Sequence, residues 1–286
     1  MAALRSFNLV GSTGRSYIFK KLIQERPHVG RDIPENIFLG FNKDIRPRLP
    51  DIHRVQLPVD TIPDRPILVC EYLDEDLLRL VRGQVSVRAR KEILKAILQG
   101  IADLHDRDIV HLDVEPDDIL VSYHRIDQDI LVEKVQVSDL ENAGYLPQPM
   151  CVRGMWAMNE NWRSPEANFK GTLNKPTDLF LFGLVCIYAV LGWVILGCDD
   201  DFELHKSKGA SPLSIRLQRQ VSYFGNQEGL DGLVKHIGDE EIKRWTGVDS
   251  TFKDLVRGLN NLDPSRRLTA RQALEHPWFE GIKLAF

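Results

Sequence analysis

The spacing of apolar positions along the chain predicts its elements. From Arg88 to Asp106 they fall at Ile93, Ile97, Ile101 and Leu104, which sets one stripe along a helix and turns it toward a core. Beyond it, Ile119-Leu120-Val121 and Val135-Gln136-Val137-Ser138-Asp139-Leu140 predict two short strands separated by a polar turn. Earlier, Pro66-Ile67-Leu68-Val69-Cys70-Glu71-Tyr72-Leu73 is an apolar strand that leaves into Asp74-Glu75-Asp76. Residues 7 to 23 predict strand, glycine-containing turn, strand, and Pro34 to Arg46 a short helix closed off by Pro47, Pro50 and Pro58. Late in the chain, Leu213 to Val221 has amphipathic helical spacing. Thr269-Ala270-Arg271-Gln272 has capping-box spacing and opens a last helix ending near His276-Pro277-Trp278-Phe279.

Leu179 to Gly197 is different, with 19 residues and no charge. That length suits a membrane span. The preceding Pro176-Thr177-Asp178 is a helix-start signal, and Gly183 and Gly192 interrupt the run, which suits a buried central helix instead. Both readings follow from the pattern.

Candidate chemistry lies between the first helix and the strands after it. His111-Leu112-Asp113-Val114-Glu115-Pro116-Asp117-Asp118-Ile119-Leu120 has four acidic residues in ten. A helix, a tight acidic loop and a hairpin bring Asp113 and Asp118 near Asp139. Three converging carboxylates suit a hard cation such as Mg²⁺.

Composition narrows the classes. The chain has 286 residues, 43% of them hydrophobic, enough for one large or two modest domains with a real core. A formal net charge of −4 and no clustered basic face argue against nucleic acid as a partner. Cys70, Cys151, Cys186 and Cys198 lack paired short spacings, so reduced thiols in a cytoplasmic or nuclear compartment are expected rather than a zinc site or a disulfide framework. Met1-Ala2-Ala3-Leu4-Arg5-Ser6 has no apolar core of signal-peptide length.

Five motifs in order give the chain a family resemblance. His111 to Leu120 resembles the catalytic loop of eukaryotic protein kinases, His-Arg-Asp-Leu-Lys-Pro-Glu-Asn followed by two apolar residues, and Asp139-Leu140-Glu141 resembles Asp-Phe-Gly. Trp162-Arg163-Ser164-Pro165-Glu166 resembles the end of the activation segment and Lys175-Pro176-Thr177-Asp178 the start of the central helix. Leu262-Asp263-Pro264-Ser265-Arg266-Arg267-Leu268-Thr269-Ala270 resembles the last helical motif.

The resemblance implies an α+β, bilobal protein-kinase-like fold: a single domain over residues 1–286 with an abbreviated β-rich lobe to about Glu71 and a larger helical lobe after it. It implies ATP and a protein substrate as partners, with the γ-phosphate passing to Ser or Thr. Asp113 would orient the acceptor hydroxyl and take its proton, and Asp139 would ligate Mg²⁺, or Mn²⁺ in its place. Asp118 replaces the metal-binding Asn and remains an oxygen ligand. Gly11 is the one family glycine retained in the phosphate-covering hairpin, with Thr13 and Ser16 in the other two places; these residues also read as an ordinary hairpin. Arg31 stands where the family's phosphate-holding lysine belongs, though alone it reads as an exposed loop arginine, and Glu35 and Asp44 are both candidates for its acidic partner. Backbone groups of Glu71 and Leu73 would meet the adenine edge, with Cys70 limiting the back of the pocket. Asp178 would hold the catalytic loop, and Glu166 and Arg267 would form a buried ion pair.

Several departures weaken this activity. Glu115 stands where serine/threonine kinases have a lysine that neutralises the transferring phosphate. At about 4 Å and an effective dielectric near 20, such a contact is worth roughly 4 kcal/mol, and charge reversal turns it into repulsion. Asn159 replaces the Thr that bonds this lysine, and Glu141 replaces the glycine of the metal-binding turn, which is expected to stiffen or displace Asp139. The activation segment, Asp139 to Glu166, offers only Tyr145 and Ser164 for a phosphate, and Leu112 replaces the arginine that would bind it. An inactive pseudokinase that signals through a protein partner is therefore the alternative function. A membrane-anchored protein is a third, resting on residues 179 to 197 alone.

Overall fold

The computed structural model describes residues 8–18, 45–50, 52–63, 67–127, 129–153, 158–169, 171–225 and 249–284. A small β-rich N-terminal part precedes a helical C-terminal part, a mixed α+β arrangement. The first part contains two antiparallel hairpins, β1 (Asn8–Val10) with β2 (Ser16–Ile18) and β3 (Asp60–Ile62) with β4 (Ile67–Val69). The candidate strand around Arg31, together with Lys20, Lys21, Glu35 and Asp44, lies outside the described residues.

After β5 (Glu75–Asp76) and the single turn α1 (Leu77–Leu80), the predicted amphipathic helix is α2 (Val87–His105), capped by Ser86 through the Ala89 amide. Ile93, Ile97, Ile101 and Leu104 are all buried, as their spacing requires. Strand β6 (Ile109–Val110) leads into the acidic loop. The two strands beyond it are longer than expected: β7 (Ile119–Ile126) and β8 (Asp129–Val137) form one antiparallel hairpin with a register shift at Ser122/Tyr123. Leu140 is not in a strand, because Asp139 turns the chain into a 3-10 turn, Leu140–Asn142. Strand β9 (Gly144–Tyr145) then pairs with β6, and β10 (Val152–Arg153) pairs with β11 (Thr172–Leu173), with the short α3 (Pro165–Asn168) between them.

The uncharged segment forms α4 (Lys175–Leu191), opened by an Asn174–Thr177 capping box. It ends at Gly192, whose φ of 79° is the left-handed conformation that glycine adopts without a Cβ clash. Residues 192–197 are therefore not helix, and no helix among the described residues is long and apolar enough to cross a membrane. Instead α4 is enclosed on all sides in the main core, each large apolar side chain contributing about 1.5–3 kcal/mol by leaving water. Gly183 is required there, since a Cβ would lie 2.0 Å from Asn260 Oδ1. Helices α5 (Asp200–Ser207), α6 (Pro212–Phe224), α7 (Ser250–Leu259) and α8 (Ala270–Leu274) follow, the last with the expected Thr269–Gln272 capping box. A second apolar cluster, Ile45, Leu49, Ile52, Val55, Leu104, Ile109 and Leu140, joins the N-terminal part to the base of the acidic loop.

Candidate functional site

The acidic loop is shaped from beneath by Asp178, in the first turn of α4 and wholly buried. Its Oδ2 accepts the His111 amide at 2.8 Å and faces His105 Nε2 at 2.9 Å, while Oδ1 accepts the Leu112 amide at 2.8 Å. Leu112 has a φ of 68°, which costs an L-residue about 1–3 kcal/mol, and the two amides held by Asp178 stabilise that turn. Its side chain is buried. His111 lies under the loop: Nε2 donates to the Ser138 carbonyl at 2.8 Å, and Nδ1 accepts the Asp113 amide at 3.3 Å. That pairing fixes the ring as the Nε2-protonated tautomer.

Asp113 projects above this base. Its Oδ2 accepts Asn142 Nδ2 at 2.8 Å, and its buried Oδ1 meets no ordinary donor. Burial raises its pKa. Glu115, also buried, accepts Asn159 Nδ2 at 3.1 Å, so the two replaced positions still touch. Desolvation, then the charges of Asp113 and Asp117, push its pKa up to about 9. The two buried carboxyls act on one another, and burial with mutual repulsion favours a retained proton on the Asp113–Glu115 pair. That direction tempers the repulsion expected from Glu115, while the attraction of the family's lysine is absent.

Asp118 closes the 3-10 turn Pro116–Asp118. Ser138 fixes its backbone, donating to the Asp118 carbonyl from its amide at 2.8 Å and its hydroxyl at 2.9 Å. Burial, then the charges of Asp139, Asp117, Glu115 and Asp113, push its pKa up to about 10. Asp139 has a φ of 57°, so the left-handed residue of this turn is Asp139. Glu141 is exposed and has no positive φ, so this turn does not require a glycine there. The turn from Asp139 brings Asn142 onto Asp113 and buries Leu140 in the second core cluster. Asn142 is a site residue the sequence did not flag.

Asp113, Asp118 and Asp139 are thus close enough for their charges to act on one another. Even so, no group of three His, Cys, Asp or Glu among the described residues could hold a metal ion, so the expected three-carboxylate convergence is not formed. Asp118 and Asp139, the two carboxylates expected to ligate a metal, act on one another electrostatically; a Mg²⁺ site in general needs only one or two carboxylates, with phosphate oxygens and water completing its shell.

The hairpin carrying Gly11 differs most from expectation. Its turn is closed against Asp60 at the start of β3: the Ser12 hydroxyl (2.8 Å), the Thr13 amide (3.2 Å), the Thr13 hydroxyl and the Tyr17 hydroxyl (2.9 Å) all donate to the Asp60 carboxylate. A Cβ on Gly11 would lie 1.9 Å from Asp60 Oδ2, so glycine is needed here for the carboxylate's approach. Desolvation acts to raise the Asp60 pKa, but the hydrogen bonds from Thr13, Ser12, the Thr61 amide and Tyr17 outweigh it and leave it lowered. At the strand exit, the Glu71 carbonyl accepts Gln56 Nε2 at 2.9 Å and the Glu71 carboxylate pairs with Lys134 at 2.5 Å. Leu73 is buried, and Cys70, expected at the back of the pocket, is exposed. Arg31 lies outside the described residues. A cleft of about 840 Å³ lined by Gly83, Ser86, Arg88, Asp127 and Asp129 includes none of the predicted site residues.

Two scaffold contacts complete the frame. Glu166 and Arg267 pair through both oxygens, at 2.7 and 2.8 Å, and Arg267 also donates to the Asn261 and Pro176 carbonyls. Ser164 is fully buried as the cap of α3. Comparison with known proteins gives this frame its family. The sequence model of the protein kinase domain matches residues 34–279. The chain belongs to the protein kinase domain family. This kinase domain is 23% identical over 187 residues to calcium/calmodulin-dependent protein kinase cmkB of Emericella nidulans, covering 65% of the chain and 39% of that protein. It is 23% identical over 299 residues to dual specificity tyrosine-phosphorylation-regulated kinase 3 of Rattus norvegicus, covering 92% and 50%. Cell division control protein 2 homolog D of Antirrhinum majus is 24% identical over 236 residues, covering 75% and 69%. The chain thus spans half or less of the length of the first two, and Gly11 and Arg31 precede the residues the family model matches.

Proposed function

We propose that this kinase domain transfers the γ-phosphate of ATP to Ser or Thr of a protein substrate, through Asp113. The observation that carries the reading is the held geometry of Asp113: its loop is fixed by Asp178 through two amides, and its carboxylate is oriented by Asn142. In this reading Asp113 accepts the proton of the acceptor hydroxyl as that oxygen bonds to the γ-phosphorus and ADP leaves. General-base assistance of this kind contributes about 10²–10⁴ in rate. Asp118 and Asp139 would hold a divalent ion, Mg²⁺ or Mn²⁺, whose chemistry is to neutralise charge on the β- and γ-phosphates. Backbone groups of Glu71 and Leu73 would meet the adenine edge, with Gln56 and adenine sharing the two lone pairs of the Glu71 carbonyl. Gly11 and Arg31 would belong to the phosphate-facing part of the small lobe.

A second reading, a pseudokinase that binds a protein partner without transferring phosphate, is favoured by one specific observation. A buried Glu115 stands where the family has its lysine, so the family's cation is missing at the transferring phosphate. The two readings separate in a γ-phosphate transfer assay with wild type, Asp113→Asn and the double variant Glu115→Lys/Asp118→Asn. Under the kinase reading, wild type labels substrate, Asp113→Asn loses at least about 100-fold, and the double variant gains about 30-fold, corresponding to roughly 2 kcal/mol. Equal, background labelling by all three, with ATP still bound, would leave the scaffold reading in place.

A further inference from the structure

Asp60 sits outside every motif discussed above, yet it is the most heavily hydrogen-bonded carboxylate of the N-terminal part among the described residues. Only 1% of it is exposed. Oδ1 accepts the Ser12 hydroxyl, the Thr13 amide and the Thr61 amide, and Oδ2 accepts the Thr13 and Tyr17 hydroxyls. Three of these five donors belong to the turn between β1 and β2. The turn is tied to the same strand by its backbone, since the Ser12 amide donates to the Thr61 carbonyl at 2.8 Å. Converging amides and hydroxyls in a tight turn form an anion-binding concavity. Here an anion from the same chain fills it.

We propose that Asp60 is an internal latch: its carboxylate takes the turn's donors in place of a polyphosphate, so a phosphate ligand reaches them only when Asp60 is displaced. This rests on the nucleotide-binding reading of the hairpin. Gly11 fits the same account, because its missing side chain is what lets the Asp60 oxygen lie against the turn. An anion tethered within the fold competes at an effective concentration of about millimolar or higher, so the latch should weaken polyphosphate binding by about tenfold or more.

The test follows exchange of the turn amides in the full chain, for wild type, Asp60→Asn and Thr13→Val, with tripolyphosphate and with ATP. Asp60→Asn keeps the side-chain shape and removes the charge. It should speed exchange of the Thr13 amide about tenfold, and tripolyphosphate should restore protection at about one tenth of the concentration wild type needs. Thr13→Val removes one donor to Asp60 while leaving the sequence of β3 unchanged and should also speed exchange of the turn amides, so it decides the matter if Asp60→Asn does not fold. Unchanged exchange in both variants overturns the latch, as does equal or weaker tripolyphosphate protection in folded Asp60→Asn. The nucleotide reading fails separately: tripolyphosphate protection as described, with no effect of ATP on any variant, keeps the latch and rejects nucleotide as its competitor.

Discussion

Burial and neighbouring carboxylates push the pKa values of Glu115 and Asp118 up to about 9 and about 10, so both are expected to keep protons that ordinary carboxyls have lost at neutral pH. In the unfolded chain both return to about 4. Between those limits the folded protein binds more protons than the unfolded one, so its stability falls as pH rises across that window. The ligand-free melting temperature should therefore drop between about pH 5.5 and 8.5, and Asp118→Asn should flatten the slope by up to about 1.4 kcal/mol per pH unit. A slope unchanged by both Asp118→Asn and Glu115→Gln would contradict the assignment. At this scale the sequence located the acidic loop and the Asp178 brace, because short motifs carry them. It did not show the upward shift of the Glu115 pKa, since that depends on burial and on Asp113 and Asp117 together. Nor did it mark Asn142 or Asp60, whose partners lie 29 and 47 or 48 positions away.

Helix α4 was legible in its start signal and its uncharged run, and the choice between membrane span and buried helix turned on one residue, Gly192, which ends it. The β7–β8 hairpin was legible only in its inner half. Its outer half, from Tyr123 to Ile126, grades from half-buried to exposed, so backbone pairing rather than an apolar face continues the strands. Between elements, the Glu166–Arg267 pair clamps α3 to the segment before α8 and to the first turn of α4. Arg267→Met leaves the Glu166 carboxylate without its partner and should cost about 3–5 kcal/mol in urea unfolding, whereas Glu166→Gln/Arg267→Met should recover part of that loss. A cost under about 1 kcal/mol for the single variant, the range of exposed pairs, would show that the pair is solvated and does not clamp.

Over the whole molecule, the second apolar cluster links the N-terminal part, the end of α2, β6 and Leu140, so the turn after Asp139 and the base of the loop before Asp113 share one packed foundation. The bilobal class was legible because its motifs are ordered along the chain. The setting of the hairpin was not, because it depends on a latch between two segments 47 or 48 positions apart. Thermal melting with ATP, with and without Mg²⁺ or Mn²⁺, reads out whether Asp113, Asp118 and Asp139 serve a nucleotide and its metal. A ligand that binds only the folded state at 100 times its Kd stabilises it by about 2.7 kcal/mol. The account predicts an upward shift that requires the metal, is lost in Asp118→Ala/Asp139→Ala, and appears at lower ATP in Asp60→Asn. No shift at millimolar ATP with either metal, in wild type and in Asp60→Asn alike, would contradict it.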